Sequence, residues 1–211
     1  PQAEQDGGWV QASRDSGGGG RGKQARPGCR REAAPDGGPG GGEVHSVQND
    51  EAHQRKIITV LRTYQPEVIL CNAPEDRHPD HGRSSKLVAD AAFLSGLRKI
   101  ETTFNGIAQQ AWRPKYVFRY IQDRMLNPDF VIDITDVFEQ KIEAIKAYKT
   151  QFHNEETDEP QTYISTPDFL DSVIYRHKWF GKMIGVKYAE GFISEKMIGL
   201  KNFDAIIKEN T

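Results

Sequence analysis

The chain has 211 residues, enough for one domain with a hydrophobic core or for one domain with an additional tail. Its 28 basic and 30 acidic residues give a formal net charge of -2, so nothing in its charge favours nucleic acid or an anionic membrane as a partner. Cys29 and Cys71 form no disulfide framework, and no apolar run is long enough to span a bilayer. These features predict a cytoplasmic protein.

Residues 1–48 differ in composition from the rest of the chain. They contain 13 of the 20 glycines, few aliphatic side chains, and neither a helical nor a strand period. Such a segment cannot bury enough apolar surface to offset the entropy lost on ordering, so we expect it to be disordered. Because the chain starts at Pro1 and changes character abruptly at Asn49, we also expect 1–48 not to be a native amino terminus. Residues 49–211 are predicted to form one α/β domain.

Helices and strands are predicted to alternate after residue 49. The predicted helices cover 53–64, 84–97, a segment from 135 or 136 to 152, and a segment that opens at 166–168. The predicted strands cover 67–71, 115–120, 130–134 and 188–194. This alternation favours a doubly wound, mostly parallel, Rossmann-like sheet. In such sheets, ligands bind beyond the carboxyl ends of the strands.

A glycine-rich stretch, Gly17 to Lys23, matches the spacing of a phosphate-binding loop. That loop needs a strand before it, a helix after it, and a hydroxyl residue after the lysine. Gln24 follows the lysine, and Pro27 interrupts any helix. We therefore interpret this match as a chance product of a glycine-rich tract.

A dense polar segment follows the predicted strand 67–71 and ends at Gly82. Within it, His78, Asp80 and His81 lie within four residues, and Pro79 is expected to keep both histidines in a loop ahead of the next helix. Two imidazoles and a carboxylate suit a site in which one histidine binds a metal. The other histidine would then act as an acid or stabilise charge, with the aspartate orienting it. The alternative is a solvated loop, since so short a histidine pattern often arises by chance.

The segment Pro74–Gly82 resembles the second conserved motif of the PIG-L/LmbE-like zinc N-deacetylases. More narrowly, the chain is similar to the bacterial enzymes that deacetylate N-acetylglucosaminyl malate in bacillithiol synthesis. The segments that support this resemblance are 130–134, 146–152, 185–192 and 194–200. The resemblance implies a zinc cofactor, a small sugar conjugate as substrate, hydrolysis of its N-acetyl group, and self-association into a homo-oligomer.

The resemblance also implies roles for individual residues. His81 would be a zinc ligand, and His78 would stabilise the oxyanion or protonate the leaving amine. Asp80 would tune His78 through a hydrogen bond. On chemical grounds, Arg77 is a candidate for binding the malate carboxylate, because a guanidinium makes bidentate contacts with carboxylates. Two further candidates for substrate contacts, Arg119 and Tyr163, complete the predicted site.

The first motif of the family, Ala-His-Pro-Asp-Asp, is absent from residues 1–48, where the only histidine is His45. That motif supplies two zinc ligands and the general base, and a catalytic zinc site usually needs three protein ligands. Three hypotheses therefore stay open: the deacetylase, the same chemistry on another N-acetyl sugar, and a catalytically incomplete relative that binds sugar or oligomerises. Loss of the first strand is also expected to leave an unpaired sheet position and an exposed apolar surface.

Overall fold

The structure is a computed structural model, which describes the backbone of Gln11–Ser13 and residues 46–148 and 163–206. Its four helices are α1 (Glu51–Tyr64), α2 (Pro79–Ser95), α3 (Phe138–Lys146) and α4 (Pro167–Ile184). Its seven strands are β1 (Gln11–Ser13), β2 (Val68–Cys71), β3 (Thr103–Phe104), β4 (Ile107–Ala108), β5 (Tyr116–Tyr120), β6 (Phe130–Asp133) and β7 (Ala189–Ser194). Within these described ranges, no helix has the length and apolar character needed to cross a membrane.

Most predicted elements are present in the structure, with shifted ends. Helix α1 begins earlier than predicted because Asp50 caps it, its carboxylate accepting a 2.9 Å hydrogen bond from the backbone N–H of His53. Helix α4 begins at Pro167 after Thr166, as predicted. Helix α3 ends at Lys146. The predicted continuation over 149–152 lies outside the described residues, as do the Gly17–Lys23 stretch and His45.

The main sheet is mixed rather than mostly parallel. Its strand order is β1-β2-β5-β7-β6, and only β2 and β5 are parallel among the described strands. The prediction of a mostly parallel sheet is wrong for these strands, because β7 inserts antiparallel between β5 and β6. The parallel pair matters most for the site, since it brings the carboxyl ends of β2 and β5 to the same edge.

The position beside β2 is occupied, contrary to the prediction of an unpaired strand. Gln11–Ser13 pairs antiparallel with Val68–Leu70 and forms the edge of the sheet. This strand comes from the glycine-rich segment that we expected to be disordered. Three residues without a strong strand pattern can pair here because an edge offers unsatisfied backbone groups to any extended segment.

Two of the described core clusters lie on one face of the sheet. Ile69 and Cys71 of β2 pack with Leu61 of α1 and Val88 of α2. On β7, the register and the alternation of side chains place Ala189 on that same face, where it packs against Phe180 of α4. The other face carries a partly buried row of aromatic rings in contact, namely Tyr116, Phe118, Phe130 and Phe192. A doubly wound sheet has helices on both of its faces. Here α1, α2 and α4 all contact the same face, so these three helices do not form the two layers of such a sheet.

A small hairpin between α2 and β5 was not predicted. Strands β3 and β4 are joined by Asn105 and Gly106, which both have positive φ values of 51° and 77°. Asparagine followed by glycine is the strongest short-range signal for such a turn. The signal was present in the sequence, but the strands have only two residues each and show no alternation.

Candidate active site

The two histidines lie at the amino terminus of α2, and not in a loop that precedes it. His78 is the N-cap residue, and its Nδ1 accepts a 3.2 Å hydrogen bond from the backbone N–H of Asp80. Pro79 is the first helical residue, a position that suits proline because that N–H would have no helical partner. The prediction that Pro79 delays the helix to Ser84 is therefore wrong, and His81 belongs to the first turn of α2.

His81 is held by a buried carboxylate that the sequence analysis did not single out. Its Nδ1 lies 2.6 Å from Oδ2 of Asp76, whose side chain is fully buried. The other carboxylate oxygen accepts hydrogen bonds from the backbone N–H groups of Arg77 at 2.8 Å and Arg124 at 3.2 Å. Since an ionised carboxylate only accepts, the Nδ1 of His81 carries a proton, and a neutral His81 has its lone pair on Nε2. A carboxylate behind an imidazole in this way is the usual support of a histidine metal ligand.

The Asp76 carboxylate is ionised despite its burial. Burial alone would raise its pKa, but the hydrogen bond from His81 and the two backbone N–H donors outweigh that effect and lower the pKa. A charged carboxylate at this position keeps the proton of His81 on Nδ1. The orientation and the tautomer of His81 are thus both fixed by Asp76.

The two imidazoles have opposite tautomers. Because Nδ1 of His78 accepts the hydrogen bond from the N–H of Asp80, a neutral His78 carries its proton on Nε2. The ring centroids of His78 and His81 are 5.5 Å apart. When both rings are neutral, Nε2 of His81 therefore carries a lone pair and Nε2 of His78 carries a proton that can be donated in a hydrogen bond.

Asp80 does not orient His78 through its side chain. Its Oδ2 lies 4.0 Å from Nδ1 of His78, too far for a hydrogen bond. Instead, Oδ1 of Asp80 accepts hydrogen bonds from Arg83 at 2.9 Å and from the backbone N–H of Val47 at 3.2 Å. The hydrogen bond that joins the two residues comes instead from the backbone N–H of Asp80. A catalytic role for Asp80 stays a prediction, and its observed contact with Val47 holds that residue against α2.

Two of the predicted substrate residues meet at a third residue that was not predicted. Nε of Arg77 lies 3.6 Å from Oδ2 of Asp123, and the hydroxyl of Tyr163 lies 3.4 Å from its Oδ1. The Arg77 guanidinium also sits 5.4 Å from the centre of the Tyr163 ring. Arg176, which is buried, donates a 2.9 Å hydrogen bond to the backbone carbonyl of Asp123. Arg77 and Tyr163 are thus brought together beside the carboxyl end of β5.

Arg119 has a different environment from Arg77. It is buried, and it donates hydrogen bonds to the hydroxyl of Ser85 at 2.8 Å and to the carboxylate of Glu195. Both partners are protein groups, so the structure gives Arg119 a role in joining β5 to α2 and to residues after β7. Its contact with substrate stays a prediction. Nearby, Asn72 donates to Gln122 at 3.2 Å, which shows directly that the ends of β2 and β5 converge.

The sequence contained little that could have identified Asp76 and Asp123. Asp76 lies in the polar segment, but a pairing five residues apart depends on where α2 begins. Asp123 can be recognised as a site residue only once the structure shows that the turn Tyr163–Ser165 lies beside the end of β5. A correct interpretation of Pro79 as the first helical residue would have placed His81 in the first turn of α2, facing back toward Asp76.

The described residues fit one ligand of a zinc site rather than a complete set. His81, supported by Asp76, has the chemistry and orientation of a ligand. No group of three His, Cys, Asp or Glu side chains that could hold a metal occurs in the part of the chain that the structure describes. A catalytic zinc site usually has three protein ligands and an open position.

Comparison with known proteins finds a deacetylase. Diacetylchitobiose deacetylase of Thermococcus kodakarensis is 26% identical over 141 residues, which are 65% of this chain and 48% of that enzyme. The chain thus spans about half the length of this curated relative. No protein-family model matches the chain. The similarity supports the resemblance seen at Pro74–Gly82, and it does not distinguish enzymes of bacillithiol synthesis from others.

Solved structures with a similar fold have more than one activity. A conserved protein of Thermus thermophilus matches with a TM-score of 0.59 and 26% identity, over 72% of this chain and 62% of that chain. N,N'-diacetylchitobiose deacetylase of Pyrococcus horikoshii matches with a TM-score of 0.52 and 22% identity, over 70% and 52% of the two chains. A 4-carboxy-2-hydroxymuconate hydratase of Pseudomonas putida matches with a TM-score of 0.54 and 19% identity, over 72% and 62%. The fold is shared by hydrolase and hydratase, so function must be argued from the site.

Proposed function

We propose that this protein hydrolyses the N-acetyl group of an N-acetylglucosamine conjugate, with zinc as cofactor. The observation that carries the proposal is the pair His78 and His81 with opposite tautomers, the second backed by the buried carboxylate of Asp76. The similarity to a diacetylchitobiose deacetylase supports the reaction class. His81 is the zinc ligand that the described residues supply, and the remaining ligands would have to come from elsewhere in the protein.

The side chains can assist the reaction as negative charge develops. When water adds to the acetamide carbonyl, this charge forms on the carbonyl oxygen, and the Nε2–H of a neutral His78 can donate a hydrogen bond to it. The carbon–nitrogen bond then breaks, and the departing amine takes up the proton that the attacking water has lost. A neutral His78 keeps its own proton, because losing it would leave an imidazolate. His78 is fixed for this task as the N-cap of α2, because its Nδ1 is held by the N–H of Asp80.

The finer proposal for the substrate is N-acetylglucosaminyl malate. Arg77 is about half exposed, and its guanidinium Nε lies 3.6 Å from the carboxylate of Asp123, a loose contact for an ion pair. A malate carboxylate could make a closer bidentate contact with the same guanidinium. The ring of Tyr163 beside it offers an aromatic face on which a pyranose can stack.

A second hypothesis is a relative that binds sugar without turnover. It is favoured by one observation, the lack of a three-ligand group among the residues that the structure describes. Under this hypothesis, Arg77 and Tyr163 would still bind a sugar conjugate, while acetate would not be released. Zinc content separates the two hypotheses before any assay is run.

The test combines zinc content and acetate release in three proteins. These are the wild type, His81→Ala, and His53→Ala as a matched control on the exposed surface of α1. We expect about one zinc per chain and measurable acetate release in the wild type and the control, and loss of both in His81→Ala. Zinc-free wild-type protein that releases no acetate would overturn the deacetylase proposal and favour the sugar-binding hypothesis.

Substrate choice is tested by comparing N-acetylglucosaminyl malate, N,N'-diacetylchitobiose and N-acetylglucosamine. If Arg77 binds the malate carboxylate, Arg77→Met should raise KM for the malate conjugate about tenfold or more and leave the two neutral sugars unchanged. An equal effect on all three substrates would assign Arg77 to another role. Arg83→Met is the control, because Arg83 is an exposed arginine near the start of α2.

A further inference from the structure

Helix α4 carries an apolar stripe on its solvent side. Tyr175, Trp179 and Met183 follow one another at intervals of four residues, and their relative exposures are 67%, 53% and 64%. The opposite side of the helix is already packed, since Val173 and Phe180 are buried. The three exposed side chains therefore contribute little to the packing of the helix on its own sheet. Aromatic residues and methionine are the types enriched in protein interfaces.

Charged residues flank the stripe, with acidic residues toward one end of α4 and basic residues toward the other. Asp168 and Asp171 are exposed near the amino terminus of α4, and Lys178 and Lys182 are exposed toward its carboxyl terminus. With about 100° of rotation per helical residue, all four lie within about 60° of Tyr175 around the helix axis. The surface is thus acidic at one end, apolar in the middle and basic at the other end.

From this pattern we infer that α4 binds α4 of a second copy of this chain, antiparallel, across a two-fold axis near Tyr175. In that arrangement, Asp168, seven residues before Tyr175, faces the partner's Lys182, seven residues after it. The two-fold axis makes this contact twice, while Tyr175 and Trp179 pack on the partner's stripe. A self-complementary patch is what a two-fold interface requires. Parallel pairing would instead bring like charges together.

The helix dipole accounts for part of this pattern and not for the rest. Acidic residues near the start of a helix and basic residues near its end are stabilising in any isolated helix. The dipole gives no reason for three large apolar side chains between them. Lys178 and Lys182 lie 5.8 Å and 5.9 Å from the ring centres of Tyr175 and Trp179. Their aliphatic stems can therefore extend the apolar surface while their charges stay at its rim.

The expected dimer is weak. An 18-residue helix is about 27 Å long, and one helix face buries less than the roughly 800 Å² per partner of a standard interface. A dissociation constant of about 1–100 μM is therefore expected, and the measurement must cover that range of concentration.

The test is a charge exchange, measured by sedimentation velocity on the full chain. Asp168→Lys and Lys182→Asp should each weaken dimerisation by about tenfold or more, because each places like charges in contact twice. The double variant should restore the wild-type affinity to within about threefold, since the two charges only trade places. Trp179→Ser should abolish the dimer, and Lys187→Asp, outside α4, should leave it unchanged.

Circular dichroism of each variant verifies that the helix content is kept. The result that supports the inference is loss of the dimer in both single variants and its recovery in the double variant. A wild-type chain that is monomeric over the whole concentration range overturns the inference. So does a dimer that survives both single charge reversals, because it must use another surface.

Discussion

Asp76 and His81 are joined by a 2.6 Å hydrogen bond between Oδ2 and Nδ1, across the turn that links β2 to α2. The carboxylate is buried and also accepts two backbone N–H groups, so it fixes the turn as well as the imidazole. One side chain thus connects the stability of the fold to the tautomer of the residue proposed to bind zinc.

The first prediction concerns Asp76→Asn. The amide keeps the size of the side chain but loses the charge that three donors share, so we expect the free energy of unfolding to fall by about 2 kcal/mol at pH 7. Urea unfolding followed by circular dichroism measures it. Asp90→Asn is the control, because Asp90 is a carboxylate on the exposed side of α2 with hydrogen bonds to Asn49 and Lys86.

The effect of Asp76→Asn should depend on pH in a defined direction. The folded pKa of Asp76 is lowered, so its stabilising contribution is present above the unfolded value of 3.8 and is lost as pH falls through the folded pKa. The difference between wild type and variant should therefore shrink as pH falls below 4. A difference that stays as large at pH 2 as at pH 5 would contradict this assignment.

The second prediction concerns Gly82, which follows His81 in the first turn of α2. In the structure it lies in the helix, and an added Cβ would meet the backbone carbonyl oxygen of Pro74 at 2.8 Å. Gly82→Ala should therefore destabilise the chain by about 1–3 kcal/mol, although alanine favours helices elsewhere. Gly199→Ala, where a Cβ meets no atom within 4 Å, should change stability little in the same thermal melts.

The sequence predicted where along the chain the site residues lie better than it predicted which of them are in contact. The position of the polar segment after a buried strand followed from composition and periodicity, and β2, β5 and α2 put it where expected. The start of α2 was misjudged because proline both breaks helices and begins them, and only the hydrogen bond from Asp80 to His78 decides between the two. Asp123 and Tyr163 meet across 40 residues of sequence, which no local pattern can indicate.

The third prediction concerns Arg62, which sequence periodicity placed on an amphipathic helix without a special role. Its guanidinium is buried and donates to the carbonyl oxygens of Ser95, Leu97 and Ile100 and to the hydroxyl of Thr102. Arg62 thereby fixes the segment that follows α2 against α1. Arg62→Lys keeps the charge but cannot reach all four acceptors, so we expect a loss of about 3 kcal/mol in the free energy of unfolding.

Arg55→Lys is the matched control for Arg62→Lys. Arg55 lies two turns earlier on α1 and is exposed, where it contacts Glu51 at 2.8 Å and donates one 2.9 Å hydrogen bond to the carbonyl oxygen of Glu101. An exposed ion pair one helical turn apart contributes less than about 0.5 kcal/mol, so this substitution should be nearly neutral in urea unfolding. Equal effects of the two substitutions would show that the four buried contacts of Arg62 contribute nothing specific.

The fourth prediction concerns the pH dependence of stability through His177. This histidine of α4 is buried beside Phe138, and its Nδ1 donates a 2.7 Å hydrogen bond to the carbonyl oxygen of Val173. Burial, aided by the positive charges of Lys141 and Arg176, lowers its pKa from 6.5 to about 4, although the Val173 carbonyl and Glu190 act in the opposite direction.

The unfolded chain therefore binds a proton at His177 between pH 6.5 and about 4, while the folded chain does not. Folding loses stability as pH falls through this window, by about 3 kcal/mol at most for the whole shift, and the loss is absent above pH 7.

Replacing the imidazole by an apolar side chain in His177→Leu removes this titration. Its melting temperature should fall less than that of the wild type between pH 7 and pH 5, a range above the titration of most carboxylates. If the melting temperatures of the wild type and His177→Leu fall equally between pH 7 and pH 5, His177 is not responsible for this pH dependence.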